Sequence, residues 1–153
     1  MPCIKIINIH PNLFLLRPAI ERIANFIASH EKKSIKKVTL IVADDSTLND
    51  LKIKFFGEDL LTDTLSFNYN ESDEPIEGEV YLSIDRIMEN SKNYNVSFEQ
   101  ELARVIIHSL LHLMGYRDDK PRNKKQMTAL QNFYLQQQYL KRLYRKRSKP
   151  LNG

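Results

Sequence analysis

One stretch constrains this chain more than any other: residues 97–119, SFEQELARVIIHSLLHLMGYRDD. Between 102 and 114, Leu102, Val105, Ile106, Ile107, Leu110, Leu111, Leu113 and Met114 leave almost no polar face. A helix that is apolar nearly all round is a buried helix, so the rest of the chain must be laid around it as cover. Ser97 followed by Gln100 is a capping-box signature that fixes where this helix begins.

Two histidines interrupt the apolar run, His108 and His112, spaced i and i+4. That spacing puts both imidazoles on one helix face, a turn apart, where they can address one ion. Gly115 can take a left-handed conformation and reverse the chain, which would return a carboxylate to the two rings. Asp118, ten residues after His108, is the expected third ligand, and Asp119 is the competing one, with a supporting role as its alternative. The remaining histidines, His10 and His30, lie far upstream, so no third imidazole follows the pair. Three ligands leave a fourth position open, the arrangement of catalytic rather than structural zinc sites. Two histidines and a carboxylate also suit Fe(II), so zinc is the preferred cofactor and Fe(II) or another divalent transition metal the alternative. Zinc proteases carry a glutamate base directly after the first histidine; here that residue is Ser109, which disfavours peptide hydrolysis. A metal-activated water acting on a phosphodiester remains open.

Charge points to the substrate. Residues 1–119 hold 13 Lys/Arg against all 19 Asp/Glu, a net of −6, whereas residues 120–153 hold ten Lys/Arg and no acid. A segment of one sign suits a polyanionic partner. Within KRLYRKRSK, Lys141, Arg142, Arg145, Lys146 and Arg147 are the candidate RNA-binding residues, with Tyr144 available to stack on a base. A single cysteine, Cys3, excludes internal disulfides and favours a reducing compartment. No apolar run reaches the ~20 residues of a membrane span, and the first residues do not read as a signal peptide, so a cytoplasmic location and no membrane partner are expected.

A chain of 153 residues fits one domain. CIKIINI (3–9) reads as a strand, 18–30 as a helix opened by Pro18, KKSIKK (32–37) as a surface turn and VTLIVA (38–43) as a strand buried on both faces. A short helix capped by Asp44, Asp45 or Ser46 should end at Gly57. TLSFNY (64–69) and EVYLSI (79–84) read as strands separated by an acidic loop, and 85–93 as a helix. After Pro121 a last helix carries Met127, Leu130 and Tyr134, and its periodicity extends through QQQYLKRLYRKR. Interleaved strands and helices imply one mixed layered structure.

HSLLHLMGYRD resembles the signature of the YbeY-type endoribonucleases, the bacterial rRNA maturation factors, written H-G-x-L-H-L-x-G-Y-D-H. The match falls on His108, Leu111, His112, Leu113, Gly115 and Tyr116. TDTLSF (62–67) is similar to that family's T-D-V-L-S-F block, GEVYLSI (78–84) to its G-D-I-x-I-S strand, and Met127 to a methionine nine residues past the third ligand. These landmarks cover the chain from about residue 50 to 131. The resemblance implies a compact, zincin-like α+β domain, a mixed sheet of about four strands packed with helices around the metal-binding helix. It implies residues 1–140 as the endoribonuclease domain and 141–153 as a basic extension. It further implies cleavage of single-stranded RNA in 16S rRNA 3′ end maturation and ribosome quality control, with rRNA and the small ribosomal subunit as partners.

Departures accompany the match. Asp118 stands where the family has its third histidine, Ser109 replaces a glycine and Arg117 an aspartate. Phe55 and Phe56 occupy the place of a Tyr-Arg pair whose arginine serves catalysis, which leaves Lys54 or Lys52 as the candidate catalytic cation. The alternative function is a non-catalytic ribosome assembly factor with a structural metal; a metalloprotease ranks third.

Overall fold

The computed structural model describes residues 3–137 and 142–149. A four-stranded sheet runs in the order β1 (Ile4–Asn8), β3 (Ile35–Ala43), β5 (Ile76–Ser83), β4 (Thr64–Asn68). β3 lies parallel to both neighbours, with Ile4 opposite Val38 and Val38 opposite Gly78. β4 is antiparallel to β5, pairing Thr64 with Leu82. The chain is a single α+β domain with a mixed sheet, as the sequence implies.

Burial on both faces explains why β3 does not alternate. Val38, Leu40 and Val42 face the main core with α1 (Arg17–Glu31) and α4 (Phe98–Leu113), while Ile41 and Ala43 meet Leu48 of α2 (Asp45–Phe56) on the other side. α4 is covered on every face but the one that carries Arg104, His108 and His112, and Leu102, Ile106, Ile107 and Leu111 have no exposed surface. Ser97 caps it as its spacing predicts, accepting from the Gln100 amide at 3.0 Å. Asp44 caps α2 through the Thr47 amide at 2.9 Å, and Gly57, at φ +66°, ends it. α3 (Ile84–Asn93) is capped by Ser83, and α5 (Pro121–Leu135) begins at its proline.

Three expectations are corrected. KKSIKK is only half a turn: β3 starts at Ile35, because that side chain reaches the core while Lys36 and Lys37 stay in water. The acidic loop ends sooner than expected, with Ile76 buried at the start of β5. The last helix stops at Leu135, and residues 144–146 are a strand, β6 (Tyr144–Lys146), antiparallel to the short β2 (Leu13–Leu15). Burial of Leu143 and Leu15 and the bond from the Leu16 amide to the Leu143 carbonyl (2.8 Å) outweigh the helical periodicity. Arg147 fastens this pair to β1 and the loop after it, donating from Nε to the His10 carbonyl and from Nη2 to the Asn8 carbonyl.

Candidate metal centre

The site forms where α4 ends. Gly115 sits at φ +102°, a conformation that side-chain-bearing residues rarely adopt. The Gly115 amide donates to the His112 carbonyl and the Tyr116 amide to the Leu111 carbonyl, both at 3.1 Å. This pair of bonds is a Schellman closure, which satisfies the orphan carbonyls of the last turn and turns the chain back along the helix. Asn68 of β4 caps the neighbouring Leu113 carbonyl at 2.7 Å. Tyr116 is then moored to α1 by its hydroxyl, which donates to Glu31 at 2.5 Å.

The reversal delivers Asp118 to the imidazoles. Its Oδ2 lies 3.4 Å from His108 Nε2 and its Oδ1 3.6 Å from His112 Nε2. Among the described residues these three side chains form a group with donor atoms within 4.8 Å of one another. Tetrahedral zinc with ligand bonds near 2.0–2.1 Å holds neighbouring donor atoms roughly 3.3 Å apart, so the donor types suit such an ion and the two carboxylate–imidazole distances lie close to its spacing. Asp119 turns away: it accepts from Asn123 at 2.9 Å, and that bond, more than any other cause, holds its carboxyl below the usual range.

Gln131, on α5, is a buried part of the site that the sequence reading did not single out. Its side-chain oxygen is hydrogen-bonded to His108 Nδ1. An amide oxygen can only accept, so the ring proton sits on Nδ1 and the Nε2 lone pair faces Asp118. Met127, on the same helix, is core packing.

Beside the three ligand candidates opens a cavity of about 210 Å³ lined by Asp63, Thr64, Arg104, Val105, His108 and Asp118. Burial pushes the Asp63 carboxyl above its ordinary range, against the pull of Arg104 and His108. Thr64 shares a 2.9 Å hydroxyl–hydroxyl bond with Ser109, whose own hydroxyl donates to the Val105 carbonyl. Ser109 is thus a fixed packing residue under the site rather than a base.

The expected catalytic lysines are elsewhere. Lys54 lies over the exposed Phe55 ring and Lys52 over Phe56, both on α2, and neither lines the cavity. The cation that does line it is Arg104, one turn before His108. The other histidines are satisfied locally, His10 by Asp85 and the Asn12 amide, His30 by Tyr134. Of the basic candidates, Arg145 and Lys146 are exposed on β6 and Arg142 bonds the Tyr144 carbonyl, whereas Arg147 is occupied by backbone carbonyls. Tyr144 packs edge-on against Phe98. Lys141 lies outside the described residues. No helix among the described residues is long and apolar enough to cross a membrane.

Known proteins resemble this chain in sequence and fold. The family model described as Endoribonuclease YbeY matches residues 8–139. An endoribonuclease YbeY of Chloroherpeton thalassium is 38% identical over 120 residues, covering 78% of this chain and 82% of its own. One from Chlorobaculum parvum is 37% identical over 121 residues, covering 79% and 82%. The solution structure of TM1509 from Thermotoga maritima superposes with a TM-score of 0.60 at 29% identity, over 90% of this chain and 88% of that one. With its buried helix, paired imidazoles and returning carboxylate all inside the matched segment, the chain belongs to the endoribonuclease YbeY family.

Proposed function

We propose that this chain is a metal-dependent endoribonuclease that cleaves single-stranded RNA, acting in the cytoplasm on rRNA of the small ribosomal subunit, in 16S rRNA 3′ end maturation and ribosome quality control. The observation that carries the reading is the convergence of His108, His112 and Asp118 beside an open, largely polar cavity that His108 and Asp118 line. Zinc is the ion assigned to these residues, one per chain, with Fe(II) the other that suits the donor set. When bound, the ion supplies Lewis acidity toward a phosphoryl oxygen and a water acidic enough to attack near neutral pH. The protein's part is positional. The imidazoles bind through Nε2, Gln131 holds the His108 tautomer, and the Schellman turn keeps Asp118 in reach.

Residues 1–140 carry the activity in this reading, and the basic stretch 141–153 contacts phosphates. Among the described residues Arg142, Arg145, Lys146 and Lys149 are its exposed cations, and Arg147 holds the stretch in place; Lys141, the remaining candidate, lies outside the described residues. Purified protein reconstituted with zinc should cleave a single-stranded oligoribonucleotide and leave its duplex intact. Chelation or His112→Ala should abolish cleavage together with bound metal. RNA left intact by the metal-loaded wild type would overturn the proposal.

A second reading, a ribosome assembly factor whose metal only holds the fold, draws on the exposed Phe55, Phe56, Leu60 and Leu61, an apolar surface suited to a partner. It predicts small-subunit binding that persists in folded His112→Ala protein.

A further inference from the structure

Arg104 stands on the wall of the metal cavity with its guanidinium held from behind. It precedes His108 by four residues on α4, so the periodicity that aligns the two histidines puts Arg104 on the same face. Its Nε and Nη2 donate to the two carboxylate oxygens of Glu101, at 2.9 and 2.5 Å, and Nη2 lies 3.7 Å from Asp63. Glu101 is 2% exposed, and among the described residues its side chain has this arginine as its one charged partner within salt-bridge distance. A carboxylate sunk this deep beside an arginine is a mount: it fixes the plane of the guanidinium and spends only one edge of it.

The opposite edge is committed only through the 3.7 Å approach of Nη2 to Asp63. Among the described residues Nη1 has no hydrogen-bond partner, and the side chain keeps 30% of its surface, facing the cavity that it shares with Asp63, Thr64, His108 and Asp118. A planar cation presenting N–H donors into a polar cavity, beside a site for a divalent ion, is built to take an oxyanion.

We propose that Arg104 is the phosphate-binding residue of this site, its Nη1 edge donating to a non-bridging oxygen of the phosphodiester that the metal site addresses. The proposal rests on the endoribonuclease reading for the identity of the phosphate. It does not need that reading for the anion contact itself. Glu101 is a positioning residue: its carboxylate hydrogen-bonds the arginine, and it explains why the site needs arginine rather than lysine. A lysine ammonium can satisfy Glu101 or the phosphate, but it lacks a second edge for the other.

Two variants test this, because removing Arg104 alone strands a buried carboxylate and can unfold the protein. Arg104→Lys keeps the charge; Glu101→Gln with Arg104→Gln removes both charges and lets two amides pair. Each is compared with wild type in zinc content, thermal melting, cleavage of a single-stranded oligoribonucleotide, and binding of a single-stranded 2′-O-methyl oligonucleotide across a salt series. In the folded double variant, zinc content is expected to match wild type and cleavage to fall by about 100-fold or more. The slope of log affinity against log salt is expected to shrink by about 0.7, the signature of one lost phosphate contact on a single strand. Arg104→Lys should recover part of the slope and little of the rate. A folded, zinc-loaded variant of either kind that cleaves within about threefold of wild type overturns the proposal. If wild type cleaves nothing, the endoribonuclease reading fails, and the salt slope still decides: reduced in the double variant it upholds the phosphate contact, unchanged it removes it.

Discussion

The side-chain oxygen of Gln131 accepts the Nδ1 proton of His108, joining α5 to α4 across 23 residues of sequence. The bond sets which nitrogen of His108 is available, so metal affinity should depend on a residue that cannot itself reach the ion. Gln131→Leu keeps the volume and deletes the acceptor. Zinc affinity, measured by competition with a chelator, should fall roughly 10- to 100-fold while the fold persists. Unchanged affinity would show that packing alone orients the imidazole.

Gly78 marks where β5 passes beneath the end of the metal helix. A Cβ there would stand 2.6 Å from the Phe67 carbonyl oxygen and 2.8 Å from a Leu113 methyl. One of those contacts is backbone and cannot swing aside, so Gly78→Ala should destabilise the fold by about 1–3 kcal/mol. Because Leu113 adjoins His112, the same substitution should also weaken zinc binding. Urea unfolding of apo and zinc-loaded protein measures both effects; a fully additive pair would show no coupling between the strand and the site.

Glu31 is the mooring for both the post-helix turn and α5, accepting from Tyr116 and Tyr134. Burial alone would raise its pKa, but hydrogen bonds from Tyr116, Tyr134 and His30 together outweigh that, and the carboxyl is held below its ordinary value of 4.5. The same contact pushes Tyr116 up to about 12. A carboxyl whose folded pKa is depressed contributes stability that is complete above its unfolded pKa and is lost as pH falls through the folded one. Wild type should therefore lose stability below about pH 4.5 in a step that Glu31→Gln lacks. At pH 7 the variant should be less stable by about 1–3 kcal/mol, the worth of hydrogen bonds to a charged group. Denaturation midpoints at a series of pH values check both limbs, and parallel curves for the two proteins would remove Glu31 from the account.

What could be read in advance was local. The central helix, its Ser97 cap, the facing histidines and the Gly115 reversal are each written within about one helical turn of sequence, where spacing alone determines geometry. Asp118 and Asp119 are adjacent, and only the trajectory after Gly115 separates the one that meets the imidazoles from the one that meets Asn123. Gln131 lies on another helix, and nothing in the spacing of α5 marks it. Arg104 was legible, since the four-residue rhythm that pairs His108 with His112 runs backward to it, whereas Lys54 and Lys52 lie on α2, away from the cavity. β2 and β6 escaped because three-residue strands carry no usable alternation, and their pairing joins segments about 130 residues apart.

The ladder between β2 and β6 makes the basic stretch a fastening as well as a charge. Cutting the chain ahead of residue 142 would strip positive potential and, in the same stroke, uncover Leu13 and Leu15 and release the carbonyls that Arg147 occupies. A shortened protein that binds RNA poorly would therefore confound lost attraction with an unzipped edge. Reversing the sign of Arg145 and Lys146, whose side chains point into solvent, changes the field alone.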